Sequence, residues 1–308
     1  MNLEQVVTLF REKPYFLKMG KGLLSKRLHC EPDIILLAKD IIHKEGIKKK
    51  INTPKILVLD IETAPIRAFV WKLWKENVGL NQIQSDWFII CWSAKWLFNS
   101  EVISSCVTPK EALAEDDRRI CIEMAKLLNE ADIVITHNGV AFDMPKLYTR
   151  FLQHKLPPVK SLLNIDTCII AKKQFAFTSN KLDYLANIFG LENKLETNFT
   201  LWSDCLRGDL QALNYMVQYN KYDVELLEAV YLRLRPYIKN HPNMALFFES
   251  DTPVCPNCGS THLTPNGFYY TTVNKYQAYQ CECGAICRVR TSSLSKEVSL
   301  NILTNNIR

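Results

Sequence analysis

Apolar and polar positions along the chain follow three regimes. From Met1 to about Lys50 the apolar residues return at helical spacing, in LEQVVTLFREK and then on both sides of HCEPD in GKGLLSKRLHCEPDIILLAKDIIHK, so this segment is expected to be helical. Pro32 suits the first turn of a new helix, with Cys30 or Glu31 near its cap. Two short helices about a tight turn, rich in lysine, have the form of a helix-turn-helix, and an ordinary helical hairpin reads the same way. KKKINTP (Lys48 to Pro54) then reads as a solvated linker.

The second regime runs from about residue 51 to 250. KILVLDIE, DWFIICWSAKWLF, EVISSCV and DIVITHN predict strands; EDDRRICIEMAKLLNEA, DMPKLYTRFLQHK, TCIIAKKQF, KLDYLANIFG and DLQALNYMVQYNKYDVELLEAVYLRLRPYI predict helices. Three successive strands precede the first long helix and helices dominate afterwards. The order implies an α/β domain, a mixed sheet that begins with a meander and carries helices on its faces. The third regime, residues 251–290, is short, rich in aromatic and β-branched residues and bounded by cysteines. About 40 residues cannot build a sufficient core alone, so a small metal-stapled antiparallel module is expected. Residues 291–308 read as a partly ordered tail. No internal repeat is present.

Charge refines this division. The formal net charge is +6. Residues 1–50 hold 11 Lys and Arg against 6 Asp and Glu, and residues 252–308 hold 5 against 2, which leaves the centre at −2. Basic ends are compatible with a nucleic-acid backbone as partner, and equally with ordinary solubilising charge. No run of about 18 apolar residues occurs and the first residues lack the pattern of a secretory signal. The expectation is a soluble, cytoplasmic protein with no membrane partner.

Candidate chemistry begins at KILVLDIETAPI. Alternation along a strand puts Asp60 and Glu62 on one face and Ile61 on the other, with the two anions about 7 Å apart. Such a pair is costly unless a cation lies between them, and oxygen-only ligands suit Mg²⁺ or Mn²⁺. Two acids at a solvent-facing strand end remain the plain alternative. Further along, VITHNGVAFDMPKLYTRF ends a strand at Asn138, passes Gly139 and opens a helix at Asp143. In MVQYNKYDVELLEAVY, Tyr219 and Asp223 lie one helical turn apart on one face.

DIET, NGVAFD and YNKYD, in this order, resemble the three motifs of the DnaQ-like 3′–5′ exonuclease family within the ribonuclease H-like fold. The resemblance covers roughly Lys55 to Tyr237, and the stretch NIDTCIIAKKQFAFTSNKLDYLANIFGL is similar to family-B polymerase proofreading domains and their stand-alone relatives. It implies that Asp60, Glu62, Asp143 and Asp223 hold two catalytic Mg²⁺ or Mn²⁺ ions about 4 Å apart, one activating a water and one stabilising the leaving 3′ oxygen. One branch of the family has a histidine five residues before the last aspartate, where this chain has Gln218. The other has a tyrosine four before it, here Tyr219, so the tyrosine (DEDDy) branch is implied, with Tyr219 orienting the attacking water. By the same resemblance the backbone at Ile61 and Thr63 holds the terminal nucleotide, Phe142 packs near its base or sugar, and Asn138 contacts substrate. Tyr222 reads as packing. His137 could bind phosphate but reads first as structural, and Asp166 and Asp183 read first as helix caps or surface acids. The six tryptophans read first as core, although Trp71 and Trp74, beside Lys72 and Lys75, could line a single-strand channel.

The 11 cysteines divide as unevenly as the charges. Six are scattered in apolar surroundings; five fall between Cys255 and Cys287, which in a chain without signs of secretion points to metal rather than disulfides. Cys255 and Cys258, followed by Gly259, form a zinc knuckle. The second half, QCECGAIC, departs from the usual spacing. Cys281 and Cys283 are expected to complete a structural Zn²⁺ site, with Cys287 or His262 as the other fourth ligand. The segment resembles zinc ribbons of transposase and phage replication proteins, which implies nucleic-acid contact through Lys275, Arg288, Arg290 and Tyr269, Tyr270, Tyr276 and Tyr279; a staple that only docks on the main domain is the alternative.

The sequence therefore predicts a two-metal 3′–5′ exonuclease from bacterial or phage DNA metabolism, with single-stranded DNA as the favoured substrate and replication or repair proteins as partners. RNA trimming, or a DNA-binding regulator on an inactive nuclease-like scaffold, are the rival readings.

Overall fold

The computed structural model describes residues 1–12, 16, 19–46, 54–191, 195–247, 250 and 252–304. Residues 48–53 of the expected linker lie outside the described residues. Contacts divide the chain into two units, Met1–Thr53 and Pro54–Arg308.

Among the described residues the first unit holds the α-helices α1 (Leu3–Glu12), α2 (Lys21–Leu28) and α3 (Pro32–Gly46). Helical spacing in each brings Val6, Phe10, Leu24, Ile35 and Ala38 into one buried cluster. His29 stops α2 in the left-handed region (φ 49°), and the Glu31 carbonyl accepts from the Ile34 and Ile35 amides just before α3. Pro32 opens α3, where its missing amide hydrogen costs nothing.

The second unit is built on a five-stranded mixed sheet in the order β5-β4-β1-β6-β7, from β1 (Ile56–Thr63), β4 (Ile89–Trp96), β5 (Ile103–Cys106), β6 (Ile133–Thr136) and β7 (Leu163–Asp166). β1, β4 and β5 form the expected antiparallel meander, and β1–β6 and β6–β7 pair in parallel. A two-stranded ribbon, β2 (Arg67–Ala68) with β3 (Ile83–Ser85), lies in the β1–β4 connection. β1 and β6 read as continuous apolar runs because helices cover both sheet faces. On one face Leu57, Leu59 and Ile61 of β1 pack with Ile120, Met124 and Leu128 of α5 (Arg118–Glu130) and Leu147 and Phe151 of α6 (Asp143–Gln153). On the other, Ile56 and Val58 meet Val224, Leu227 and Tyr231 of α10 (Leu210–Leu234). α4 (Pro109–Ala114), α7 (Thr167–Gln174), α8 (Leu182–Ile188) and α9 (Phe199–Leu206) complete the layers.

β7 and α9 have no counterpart among the elements expected from the sequence. The expectation that tryptophans lie in the core holds for Trp92, whereas Trp71 and Trp74, for which a place along a strand channel is the other expectation, are 93% and 82% exposed. Those two sit on the connection between β2 and β3.

The cysteine segment forms a three-stranded antiparallel sheet, β8 (Leu263–Tyr270), β9 (Lys275–Cys281) and β10 (Ile286–Arg288). It docks on the end of α10: the Asn257 side-chain amide donates to the Arg235 carbonyl at 2.9 Å, and the Met244 amide donates to the Pro256 carbonyl at 2.8 Å. The tail contains a short helix, α11 (Lys296–Leu300), capped by Ser295.

Candidate active site and four-cysteine centre

β1 outlasts its parallel neighbour. Pairing with β6 ends at Val58, whereas β1 runs on to Thr63, so Asp60 and Glu62 stand at the exposed end of a strand anchored by a buried core. Their face of the sheet is the one α10 crosses. α10 brings Asp223 to them, and one ligand oxygen each of Asp60, Glu62 and Asp223 lies within 4.8 Å of the others. Asp223 is buried and the other two are half-buried. Three converging carboxylate oxygens from two elements match the donor set of a hard divalent cation.

Asp143 is handled differently. Past the end of β6, the Ile61 amide donates to Asp143 Oδ1 at 3.1 Å. The Asp143 carboxyl is buried at the first residue of α6, and burial, helped by the like charge of Asp166, pushes its pKa up to about 7 against the amide bonds that lower it. It lies against β1 from the opposite layer to α10 and is not one of the three clustered carboxylates. Tyr219, one turn before Asp223, is buried and packs edge-on against Trp202 with ring centres 6.4 Å apart.

Asn220 carried no role in the sequence reading. It is fully buried, and its side-chain amide donates to Asp60 Oδ2 at 2.6 Å. A polar residue between Tyr219 and the apolar stripe of α10 was the available signal, but its partner is 160 positions away.

The turn after β6 is tightly determined. Asn138 takes a left-handed conformation (φ 65°) and its amide donates to Asp166 Oδ1 at 2.9 Å. A Cβ on Gly139 would fall 2.4 Å from Thr136 Cβ, so only glycine fits. Asp166 also takes the Val140 amide and caps α7 through the Cys168 and Ile169 amides. His137 is tied at both ring nitrogens, to Thr167 Oγ1 at 2.8 Å and the Asn180 carbonyl at 2.9 Å. Asp183 is not a cap; it is half-buried in the first turn of α8, whose cap position is Lys181. Tyr222 packs beside Leu226 and Leu185.

Thr63 opens a cleft of ≈ 500 Å³ bounded by Pro65, Trp87, Lys146, Phe199 and Trp202. Lys146 Nζ sits 3.7 Å from the Trp87 ring centre and 5.0 Å from that of Phe142, and Phe142 is partly exposed. The cleft thus begins one residue after Glu62 and is walled by aromatic rings and one cation. Trp87 and Trp202 were not singled out for it by the sequence.

The four sulfurs of Cys255, Cys258, Cys281 and Cys283 lie within 4.8 Å of one another, with Cys255–Cys283 at 3.8 Å and Cys258–Cys281 at 3.4 Å. Tetrahedral zinc at about 2.3 Å from each sulfur requires sulfurs about 3.8 Å apart. Burial pushes the Cys258 thiol up to about 12, a cost that a bound cation would remove by holding it as thiolate. Cys287 Sγ instead donates to the Tyr279 carbonyl at 3.7 Å, and exposed His262 faces Glu282 at 3.0 Å. A third cluster, Asp117, Cys121 and His154, is an ion-pair node, because both Asp117 oxygens are taken by Arg150.

A meander followed by two parallel strands, with carboxylates at the end of the first strand, defines an RNase H-like domain. Residues 76–235 match the profile described as the RNase_H superfamily, which is more than half of the chain, and the protein belongs to that superfamily. No curated protein matches the sequence. Among solved structures, the family B DNA polymerase from the hyperthermophilic archaeon Pyrobaculum calidifontis is similar, at 16% identity and a TM-score of 0.45 over 60% of this chain. The chain spans about 25% of that polymerase's length. No helix among the described residues is long and apolar enough to cross a membrane.

Proposed function

We propose that the protein is a metal-dependent 3′–5′ exonuclease of the tyrosine branch, acting on single-stranded DNA. The observation that carries this reading is the convergence of Asp60, Glu62 and Asp223 within 4.8 Å at the end of β1, whose next residue, Thr63, lines the aromatic cleft. These three, with Asp143, would hold the Mg²⁺ or Mn²⁺ ions. When bound, such ions would supply electrostatic stabilisation of the reacting phosphate and a lowered pKa for the attacking water.

The chain's own residues do the rest. Asn220 fixes the Asp60 rotamer through its amide. Asp143 ties α6 to β1 through the Ile61 amide, so the backbone of Ile61 and Thr63 is held where a terminal nucleotide would lie. Tyr219 orients the incoming water through its hydroxyl, one turn from Asp223. Trp87, Trp202 and Phe142 receive the end of a strand whose unpaired bases can stack, which favours single strands over duplex, and Lys146 offers a charge to phosphate. Asn138 serves the site by shaping the turn as well as by reaching substrate.

The four cysteines would hold one structural Zn²⁺ and fasten β8–β10 to α10. The organisation that follows is a helical unit over residues 1–50, a nuclease domain over 51–250, a ribbon over 251–290 and a tail over 291–308. The lysine-rich hairpin of α2 and α3 is compatible with DNA contact.

The test uses one oligonucleotide labelled at either end, as DNA and as RNA, with Mg²⁺. Shortening from the 3′ end supports the proposal. Internal cuts, 5′ shortening or no cleavage of any of them would overturn it, and RNA cleaved in preference to DNA would reassign the substrate.

A further inference from the structure

Phe268, Tyr269 and Tyr270, three consecutive aromatic residues of β8, are 44%, 51% and 64% exposed. Because a strand alternates faces, these rings stand on both sides of a hairpin. Register fixes which side each takes: Tyr269 lies opposite Tyr276 of β9, and Arg288 of β10 opposite Ala278, two residues further along the same face. Tyr270 lies opposite Lys275, and Phe268 opposite Gln277, on the other face. Each face carries a cation at its rings. The Arg288 guanidinium is 4.0 Å from the Tyr276 ring centre and 5.5 Å from that of Tyr269. Lys275 Nζ is 3.8 Å from the Phe268 ring centre. Gly267 (φ 63°) permits the bulge that shifts the register by one residue between Pro265 and Phe268 and so aims these side chains.

Exposed aromatic clusters of this kind mark binding surfaces, and charge decides what they bind. Between Val254 and Arg290 the module carries Lys275, Arg288 and Arg290 against one acid, Glu282. Glu282 is engaged by Ser260 and His262 at the opposite end of the hairpin. Between Val254 and Arg290 the ring-bearing end therefore presents rings and cations, the pairing that bases and phosphates require. The module also docks at Arg235, twelve residues beyond Asp223 on α10, which is about 18 Å along the helix. That docking point is thus well removed from Asp223 along the helix.

We infer that the β8–β9 hairpin, through Tyr269, Tyr276 and Arg288 on one face and Phe268, Tyr270 and Lys275 on the other, is a second binding surface for single-stranded nucleic acid. It would grip the strand upstream of the end held in the cleft. The inference concerns binding and does not rest on the polarity or the chemistry of cleavage.

The test is fluorescence anisotropy with labelled oligothymidylates of about 20 and about 4 nucleotides, the shorter near the lower limit of site sizes for a single small fold. The full chain is used with Asp223→Asn as a non-cleaving background. Tyr269→Ala/Arg288→Ala should weaken the long oligonucleotide by about tenfold, within the range for loss of one stacked base. It should leave the short one within about twofold, and Tyr269→Phe/Arg288→Lys should restore most of the loss. Should the Ala pair perturb folding, a 5-iodouracil oligonucleotide crosslinked to the background protein reads the same contact. Crosslinks in peptides 263–281 are expected. Unchanged affinity for the long strand together with crosslinks confined to the cleft would overturn the proposal, as would equal affinity for duplex.

Discussion

Asp117 is a single fully buried carboxylate on which three elements depend, and its removal gives a sharp test of how the catalytic layer is held. It accepts from the Ile89 amide at the start of β4 at 2.8 Å, from Arg150 Nε at 2.7 Å and Nη2 at 2.6 Å, and it meets His154 Nε2 at 2.5 Å. Arg150 lies on α6, whose first residue is Asp143. In Asp117→Ala the guanidinium, only 12% exposed, loses its counter-charge, a loss that costs about 3–5 kcal/mol in buried pairs. The orphaned Ile89 amide adds about 1–3 kcal/mol, and because these terms share one site they will not sum. A loss of about 4 kcal/mol is expected, a large part of a typical domain's stability. All six tryptophans lie between Trp71 and Trp202, so urea unfolding followed by tryptophan fluorescence reports the second unit alone. The midpoint should fall with little change in slope. Asp117→Ala/Arg150→Met, which removes both charges, should recover more than half of the loss. A single-variant cost below about 1 kcal/mol, or a double variant as unstable as the single, would refute the reasoning.

Other outcomes follow from the same geometry. Gly139→Ala forces Thr136 and the Asn138–Phe142 turn apart and should cost about 1–3 kcal/mol, as overpacking does; urea midpoints and nuclease rates should fall together. Glu111 is held at about pKa 2 by its hydrogen bonds to Arg119 and then to the Thr108 amide, so its contribution is complete above about pH 4.5 and is lost as the pH falls toward 2. The undiminished shift corresponds to about 3 kcal/mol, reduced by solvent screening to about 1. Glu111→Gln should therefore narrow the stability difference between pH 5 and pH 3. Complete denaturation should release about one Zn²⁺ per chain, and Cys258→Ser should abolish that release while speeding amide exchange in β9.

How much of this was legible in the sequence depended on how locally each element is specified. β1 and β6 open on continuous apolar runs because both faces are covered, β4 is apolar but for Ser93 and Lys95, and the long apolar stripe of α10 survives any choice of boundary. β7 gave no such sign: four residues at the sheet edge, Leu163 and Asn164 exposed and Ile165 and Asp166 buried, have neither alternation nor an apolar run. α9 has eight residues and depends on Asn198 for its cap. α4 was readable in principle, since Thr108 and Glu111 form a capping box. The spacing of the acids pointed to a shared site, but spacing does not show that three carboxylates converge while Asp143 turns to the β1 backbone. Nor could composition separate buried Trp92 from the exposed Trp71, because the difference is whether a helix happens to pack over each.

The central claim is that the Asp60, Glu62 and Asp223 carboxylates act through a divalent cation on a phosphodiester. The most direct measurement is the single-turnover rate on single-stranded DNA for the native chain and Asp223→Asn, each with Mg²⁺ and with excess chelator. The account predicts metal-dependent cleavage that the substitution slows by at least about a hundredfold, the scale on which removing one group that stabilises transition-state charge is felt. Cleavage that persists in chelator, or that Asp223→Asn leaves unchanged, would contradict it.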